Sequence, residues 1–223
     1  MAVALIVAAG RGERLGSARP KAFVSLGGRP MLEWSVTSLR AVPDVTHIVV
    51  ALPADELDGA PEGTVAVAGG LHRSHSVRNA LAACAHGDPV IVHDAARPLA
   101  TPALFGQALL ELERHQEADA VIAAVPVSDT IKEVGDDGAT VAQTLSRARL
   151  WAVQTPQVFR RRALEAALAG ASDDELGDAT DDAWLVERGG GTVRLLGSDP
   201  GNIKITTAHD LRVAELVLSE RGR

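Results

Sequence analysis

The stretch "LIVAAGRGERLGSARPK" at residues 5–21 joins an apolar run to a glycine-rich turn and then to a group of cations. Val, Ile and Leu dominate residues 2–8, which is typical of a strand that is buried on both faces. The turn contains three glycines, Gly10, Gly12 and Gly16. Glycine has no Cβ atom, so the backbone N–H groups of such a turn can approach a phosphate chain closely. Arg14 and Lys21 come at the far side of the turn, toward which a bound polyphosphate would extend. The stretch therefore favours a polyphosphate site behind the first strand of an α/β fold.

The glycine spacing taken alone fits other turns as well. It is close to the G-x-G-x-x-G pattern of dinucleotide-binding folds, but the third glycine is displaced by one position. Such folds also need an acidic residue at the end of the second strand, whereas here Pro53 intervenes and Asp55 and Glu56 lie far beyond the expected spacing. An NAD-dependent dehydrogenase is therefore disfavoured, and a plain strand-to-helix turn without a ligand stays an alternative.

Length and composition fit a single domain, residues 1–223, with 46% apolar residues to build its core. The formal net charge of -7 disfavours a nucleic-acid or anionic-membrane surface, although a local group of cations can still bind a small anion. The lone Cys84 excludes an internal disulfide. No apolar stretch approaches the ~20 residues of a membrane span, and "MAVALIVAAG" lacks the basic start of a signal peptide. We expect a cytoplasmic protein.

Strand-like and helix-like segments alternate along the chain. The predicted strands are 2–8, 45–52, 64–68, 89–98 (running into a loop), 118–127 and 192–196. The predicted helices are 30–41, 73–85, 101–115, 160–169, 180–188 and 206–220. This order predicts an α/β fold in which helices cover both faces of a mostly parallel twisted sheet. The acidic segment 170–182 is interpreted as a solvated loop, and Cys84 as a buried small residue on the apolar face of its helix.

Residues 130–144 interrupt the alternation. Two β-rich runs flank the turn residues at 136–138, which predicts a hairpin that projects from the sheet. A lone two-stranded projection is marginally stable in water, so we expect it to pack on a second copy of the chain. The sequence thus predicts a homodimer with a dimerisation arm at about 127–150.

Seven motifs follow one another over nearly the full chain. They are "AAGRGERLGSARPKAF" (8–23), "GGLHRSHSV" (69–77), "VHDAARP" (92–98), "PVSDTIK" (126–132), "LWAVQTPQVF" (150–159), "ATDD" (179–182) and "GNIKIT" (201–206). The first is similar to the signature of nucleotidyltransferases of the sugar-nucleotide type. The whole set resembles the 2-C-methyl-D-erythritol 4-phosphate cytidylyltransferases of the non-mevalonate isoprenoid pathway. The resemblance implies a Rossmann-like nucleotidyltransferase fold, CTP and a polyol phosphate as substrates, and Mg²⁺ as cofactor.

The implied reaction joins CTP to methylerythritol phosphate and releases pyrophosphate. Its nucleophile is a phosphate oxygen of the acceptor, which is largely ionised at neutral pH because the second pKa of a phosphate monoester is about 6. No general base is then required, in agreement with the absence of a Ser, Cys or His nucleophile pattern. The protein must instead stabilise charge on the α-phosphate and on the leaving pyrophosphate.

The resemblance assigns a role to each matching residue. The catalytic cations are Arg14, Lys21 and Lys204. The nucleotide contacts are Ala8, Ala9 and Gly10 through backbone, Gly69 and Ser76 at the cytosine, and Asp94 at the ribose and at Mg²⁺. The acceptor contacts are Arg97, Thr130, Arg147, Thr155 and Thr180. Thr130 and Arg147 belong to the arm, so a partner subunit would present them; Arg149 is close enough to exchange roles with Arg147. Each of these residues also has an ordinary structural interpretation as a surface charge, a turn or a cap.

Other functions are compatible with part of this pattern. The nearest alternative is a ribitol-5-phosphate or related polyol-phosphate cytidylyltransferase. A molybdenum-cofactor nucleotidyltransferase shares the opening turn, but "VHDAARP" with "GNIKIT" is not expected there. A non-catalytic nucleotide-binding regulator would keep the glycine turn and lose the cations, whereas Arg14, Lys21 and Lys204 are all present.

Overall fold

The computed structural model describes residues 1–12 and 19–221, so Arg14 and Gly16 lie outside the described residues. The strands are β1 (Ala2–Val7), β2 (Ser25–Leu26), β3 (Arg29–Pro30), β4 (Val45–Leu52), β5 (Val65–Ala68), β6 (Val90–Asp94), β7 (Ala120–Pro126), β8 (Lys132–Val134), β9 (Val141–Thr144), β10 (Trp151–Phe159) and β11 (Val193–Gly197). The helices are α1 (Met31–Arg40), α2 (Arg73–Ala82), α3 (Pro102–Arg114), α4 (Arg161–Gly170), α5 (Asp173–Asp178), α6 (Asp182–Arg188) and α7 (Ala208–Arg221).

Seven of the strands form one sheet in the order β11-β7-β10-β6-β1-β4-β5. Strand β1 is central and pairs in parallel with β4 and β6, and β5 and β11 also pair in parallel with their neighbours. Strand β10 alone among the described strands of this sheet runs antiparallel, between β6 and β7. The prediction of a mostly parallel α/β sheet is therefore confirmed.

The core lies on both faces of the sheet, because successive side chains of a strand point in opposite directions. Ile6 belongs to an apolar cluster on one face that includes Leu39 of α1 and Phe105 of α3. Leu5, its neighbour, belongs to a cluster on the other face that includes Val77 of α2. The continuous apolar run of β1 therefore positions the end of this strand rigidly. Within the described part of the chain, no helix is long and apolar enough to cross a membrane.

Strand β10 was not among the predicted strands. Its residues "WAVQTPQVF" have polar Gln154 and Thr155 followed by Pro156 at the centre, and proline cannot donate to a β-ladder. The structure accommodates them by a register shift between Val153 and Gln157. Because of this interruption, the nine residues of β10 do not show the regular alternation of apolar and polar residues that predicts a strand.

Two further expectations are wrong. Segment 170–182 is not a continuous loop, since it contains the helix α5. Ser172 and Glu175 form a reciprocal capping box at its start, and acidic residues in a first helical turn are favoured by the helix dipole. Cys84 lies beyond the end of α2, where it is only partly buried and its Sγ donates to the carbonyl of His86 at 3.0 Å.

Two small two-stranded sheets, β2-β3 and β8-β9, lie outside the main sheet, and the arm contains the second of them. Strands β8 and β9 pair only with each other, and every residue of both strands is exposed. The chain leaves the main sheet at Pro126 and rejoins it at Trp151, and these two residues are partners in the register of β7 and β10. A projecting hairpin is therefore present where the sequence predicts it.

Candidate active site

A cavity of about 250 Å³ lies at the carboxyl ends of β1 and β6, the edge at which parallel α/β sheets bind ligands. Its walls come from five segments of the chain. Residues 7–10 begin at the last residue of β1, residues 70–73 lead into α2, whose Ser76 also lines the cavity, and residues 94–96 begin at the last residue of β6. The other two segments are Lys21 with Ala22, and Lys204. The sheet topology thus gathers several of the sequence motifs around one opening.

The two lysines reach this cavity from opposite ends of the chain. Lys21 follows the glycine turn, and its backbone N–H donates to the carbonyl of Gly10 at 3.3 Å. Gly12 has a φ of +72°, and a Cβ there would lie 2.6 Å from the Cβ of Lys21. Glycine is therefore needed at this position for the turn to approach the lysine so closely. Both ammonium-bearing side chains line one cavity, as a shared phosphate site requires.

Lys204 is held in place by the loop between β11 and α7. The N–H of Ile205 donates to the carbonyl of Ala96 at 2.8 Å, which joins this loop to the one that follows β6. Beyond it, Oδ2 of Asp210 accepts hydrogen bonds from Thr206 N and Oγ1 and from Thr207 N, at 2.7–2.8 Å. The hydrogen bond from the Thr206 hydroxyl is the main reason why the pKa of Asp210 falls to about 2.

The substitution Asp210→Ala is expected to loosen this loop. It removes the carboxylate of a capping box that Thr207 and Asp210 form at the start of α7, and capping groups contribute about 1 kcal/mol. We expect a fall in melting temperature of about 2–4 °C and a several-fold loss of turnover, measured by thermal unfolding and by pyrophosphate release. The control Glu215→Ala changes an exposed residue of the same helix and should alter neither quantity. Unchanged stability would contradict the assignment.

Asp94 lies between two cations at the base of the cavity. Its Oδ1 accepts from Nε of Arg73 at 2.9 Å, and its Oδ2 lies 2.7 Å from Nζ of Lys204. Burial alone would raise the pKa of this carboxyl group, but the charges of Arg73 and Lys204 outweigh burial and hold it far below the usual range. The Asp94 carboxylate is therefore ionised and fixed in orientation at neutral pH.

Arg73 is a site residue that the sequence analysis missed. It is the first residue of α2 and lies inside the quoted motif at 69–77, so its position was visible although its role was not. Its second carboxylate partner, Asp182, is 109 residues away in the sequence. Burial opposes the charge of Arg73, but Asp182 and Asp94 together raise its pKa above the ordinary value.

The segment before α2 contains two glycines that allow close packing, of which Gly70 lines the cavity and Gly69 does not. The N–H of Gly69 donates to the carbonyl of Leu52 at 2.7 Å, and the N–H of Gly70 donates to Oγ of Ser76 at 3.1 Å. A Cβ at Gly69 would lie only 2.3 Å from the Cβ of Ala9. The chain before α2 is therefore pressed against the glycine turn, with Ser76 buried beneath it.

Ala8, Ala9 and Gly10 all line the cavity, but they differ in what they can donate. The N–H of Ala8 already donates to the carbonyl of Ala51 at 2.9 Å. A backbone N–H contact to a nucleotide can therefore not come from Ala8. Gly10 is exposed at the end of this segment, where a ligand can approach it.

The geometry of cations around one carboxylate at a glycine turn can now be set beside known proteins. A family model described as 2-C-methyl-D-erythritol 4-phosphate cytidylyltransferase, IspD, matches residues 2–220. The chain belongs to the IspD family. It is 46% identical over 226 residues to the IspD of Nocardia farcinica, covering 99% of this chain and 95% of that protein. It is also 46% identical to the IspD of Symbiobacterium thermophilum, with 98% and 93% covered.

Solved IspD structures have the same fold as this chain. The Thermus thermophilus enzyme superposes with a TM-score of 0.79 at 34% identity, covering 98% of this chain and all of the other. The Anaerococcus prevotii synthase superposes with a TM-score of 0.83 at 29% identity, covering 98% of both chains. The IspD resemblance inferred from the motifs is therefore confirmed, as is the nucleotidyltransferase fold.

The residues predicted to hold the acceptor of an IspD do not line this cavity. Arg97 directly follows the lining residues 94–96 in the sequence, and its guanidinium donates to the carbonyls of Asn202 at 2.7 Å and Val153 at 3.2 Å. Thr155 is buried, and its Oγ1 accepts from the N–H of Asp94 at 3.0 Å. In this chain the two side chains brace the loops around Asp94, and their acceptor contacts stay a prediction.

The remaining acceptor residues are exposed. Thr130 and Arg147 lie at the base of the arm, where the Arg147 guanidinium donates to the carbonyl of Ser128. Thr180 lies in the turn just before α6, two residues from the carboxylate that holds Arg73. A single chain thus places predicted nucleotide and catalytic residues such as Lys21, Asp94 and Lys204 at one cavity. The predicted acceptor residues lie outside the lining of this cavity.

Proposed function

We propose that this protein transfers the cytidylyl group of CTP to 2-C-methyl-D-erythritol 4-phosphate and releases pyrophosphate. The observation that supports this most directly is that Lys21, Lys204 and Asp94 line one cavity at the carboxyl edge of the sheet. Two lysines from distant segments can there surround a single phosphate group. The chain matches the IspD family over residues 2–220, and this activity is the one its name describes.

In this reaction a phosphate oxygen of the acceptor attacks the α-phosphorus of CTP. A bond forms between this oxygen and the α-phosphorus, and the bond to the bridging oxygen of the β-phosphate breaks. The electron pair leaves with pyrophosphate. Because the acceptor phosphate is already ionised at neutral pH, the protein does not need to remove a proton. It needs to bring two anions together and to stabilise the charge that develops between them.

The lysines carry out this electrostatic task from two sides. Lys21 lies at the glycine turn, beside the proposed position of the triphosphate, and Arg14 is proposed to act with it. Lys204 lines the same cavity with its ammonium group on Asp94, and it is proposed to act from the other side of the phosphate. An entering phosphate can compete for this ammonium group, so the lysine is available to the reacting centre once substrates bind. Positive charges gathered around the reacting phosphate stabilise the negative charge that develops in the transition state.

Asp94 is the residue proposed to hold Mg²⁺ together with the phosphate oxygens of CTP. Its carboxylate is ionised and lines the cavity, and a hard oxygen ligand is what this ion prefers. Among the described residues no group of three or more His, Cys, Asp or Glu side chains converges, which fits an ion held mainly by its substrate. When bound, Mg²⁺ would neutralise phosphate charge and orient the triphosphate.

The pyrimidine is proposed to lie against Gly69 and Ser76. Ser76 lines the cavity, and Gly69 packs closely against Ala9, another lining residue, so the space between these segments suits a small base. The acceptor is proposed to contact Arg97, Thr155 and Thr180, and also Thr130 and Arg147 (with Arg149 as the alternative) from the arm of a second subunit. The exposed arm supports a homodimer of this kind, because an isolated hairpin gains little stability by itself.

The arm can be tested by placing charge on its apolar positions. Val134 and Val141 are paired across the hairpin and about half exposed. We expect the double variant Val134→Asp, Val141→Asp to shift the protein from dimer to monomer in light scattering, and to lower turnover at least ~10-fold because Arg147 no longer reaches a partner. The control Asp136→Asn at the hairpin tip should leave both unchanged. A wild-type monomer with full activity would contradict the dimer.

The activity itself is tested by a pyrophosphate-release assay that crosses three nucleotides with two acceptors. CTP, ATP and GTP are each combined with methylerythritol phosphate and with ribitol phosphate. Rapid release only with CTP and methylerythritol phosphate is the expected result. Release with CTP and ribitol phosphate alone would instead identify a polyol-phosphate cytidylyltransferase of different acceptor specificity.

A further inference from the structure

One arginine connects the proposed nucleotide site with the segment that precedes α6. Nε of Arg73 donates to Oδ1 of Asp94 at 2.9 Å, and Nη1 of the same guanidinium donates to Oδ2 of Asp182. Two nitrogens of one rigid planar group therefore bind two different carboxylates. A lysine has a single ammonium group on a flexible stem and cannot reproduce this fork.

Asp182 serves as a fixed anchor for this arginine. It is the first residue of α6 and its side chain is completely buried. The preceding residue, Asp181, caps the helix through Trp184 N at 2.8 Å and accepts from Gln157 Nε2 of β10 at 2.8 Å. The anchor is thus bound into both a helix start and the central sheet.

The two cations on Asp94 differ in how firmly they are held. Both residues line the cavity, but the Arg73 side chain is 21% exposed and is also paired with the buried Asp182, whereas the Lys204 side chain is 43% exposed and pairs with Asp94. A phosphate that enters the cavity can draw Lys204 away from Oδ2. The contact between Arg73 and Oδ1 is then the ion pair that keeps the Asp94 carboxylate in place.

We infer that Arg73 is a positioning residue for the transfer reaction. It fixes the Asp94 carboxylate through Oδ1 and leaves Oδ2 to be exchanged between Lys204 and the ligands of the cavity. This inference rests on the proposed function, since the exchange presupposes a phosphate-bearing substrate. Residues that orient a ligating carboxylate in this way typically change metal affinity or activity by about 10–100-fold when they are replaced.

The competing explanation is that Arg73 only neutralises the buried Asp182. Removing one member of a buried ion pair is strongly destabilising because the other charge is left uncompensated. Arg73→Gln would then lose activity only through loss of fold. The double variant Arg73→Gln, Asp182→Asn removes both charges and separates the two explanations, since it relieves the buried charge without restoring the contact to Asp94.

The experiment compares four variants with the wild type: Arg73→Gln, Asp182→Asn, the double variant, and the matched control Arg78→Gln. Arg78 lies on the same helix and pairs with the exposed Asp173. Each protein is measured for melting temperature, for kcat and KM, for the Mg²⁺ concentration that gives half-maximal rate, and for CTP binding by calorimetry with and without Mg²⁺.

We expect Arg73→Gln to lower both the melting temperature and kcat/KM, the latter at least ~10-fold. The double variant should regain most of the melting temperature and still bind CTP with Mg²⁺ at least ~10-fold more weakly, with a raised Mg²⁺ requirement. Arg78→Gln should stay within about threefold of the wild type, whereas Asp182→Asn should lower the melting temperature because it removes the buried partner of Arg73. If Arg73→Gln does not fold, the double variant decides the question alone.

Recovery of CTP binding and turnover in the double variant would overturn the inference and leave Arg73 with a purely structural role. The binding measurement needs no acceptor, so it tests Arg73 even if the wild type fails to use methylerythritol phosphate. Absence of pyrophosphate release by the wild type would contradict the proposed function, whereas normal Mg²⁺-dependent CTP binding by the folded double variant would contradict the role of Arg73.

Discussion

Lys21→Ala is expected to lower turnover by at least ~100-fold while the protein stays folded, because a charge contact to the transition state is worth about that much. The side chain lines the cavity beside the glycine turn, and its removal leaves the backbone hydrogen bond to Gly10 intact. Lys204→Ala should have an effect of similar size, because Lys204 lines the same cavity. Pyrophosphate release at saturating CTP and acceptor measures the loss, and circular dichroism confirms the fold.

The matched control is Arg162→Ala, which removes an exposed cation of α4. Its rate should stay within about twofold of the wild type. Arg14→Ala, outside the described residues, is predicted to behave like Lys21→Ala. Near-normal rates in both the Arg14 and the Lys21 variants would refute the assignment of these cations to the reacting phosphate.

Gly69→Ala is expected to be a strongly damaging methyl addition beside the site. The new Cβ would lie 2.3 Å from Ala9 Cβ, 3.1 Å from Ser76 Oγ and 3.4 Å from the Leu52 carbonyl oxygen. These neighbours belong to the turn, the helix and the sheet, so the clash must displace the glycine turn itself. A misplacement of about 1 Å at a reacting centre can cost ~100-fold, and we expect a loss of this order in kcat/KM for CTP.

Two companion variants show whether the clash is the cause. Gly106→Ala adds a methyl group inside α3 with nothing within 4 Å, so it should stabilise the protein by about 0.5–1 kcal/mol with no effect on the rate. Ala9→Gly combined with Gly69→Ala removes the nearest clashing atom and should recover much of the rate. A single Gly69→Ala variant with wild-type kinetics would show that Gly69 is not a nucleotide contact.

The sheet could be predicted because most of its strands are continuous apolar runs. Residues such as Leu5 and Ile6 are adjacent and both buried, which happens only where helices cover both faces of a sheet. Strand β10 escaped prediction because Gln154, Thr155 and Pro156 interrupt its pattern, and only the neighbouring strands on both sides stabilise it there. Tertiary pairing decided the conformation against local sequence preference.

Helix α5 was missed for a different reason. An acidic, glycine-containing segment is typical of a solvated loop, but here a capping box and one buried leucine, Leu176, are sufficient to form a short helix. The acidic residues that suggest a loop also favour a helix start, because negative charge is stabilised at that end. Composition alone does not separate the two outcomes.

The sequence predicted which motifs come together at the site, but it did not predict which side chains contact one another there. Topology places the ends of β1 and β6 at one edge, so the meeting of the glycine turn with Asp94 follows from strand order. The direction of a side chain does not follow from strand order. Arg97 and Thr155 form hydrogen bonds that join neighbouring loops, and Arg73 pairs with the distant Asp182. These contacts depend on tertiary packing, and no local sequence pattern predicts them.

The pairing of Pro126 with Trp151 has an evolutionary implication. Because the two ends of the hairpin are adjacent strand partners, the intervening segment can be lengthened, shortened or exchanged without altering the order of the strands. The cavity proposed to bind the nucleotide and the hairpin proposed to contact the acceptor are thus separate parts of the fold. Relatives could diversify in the alcohol phosphate they accept while inheriting an unchanged nucleotide chemistry.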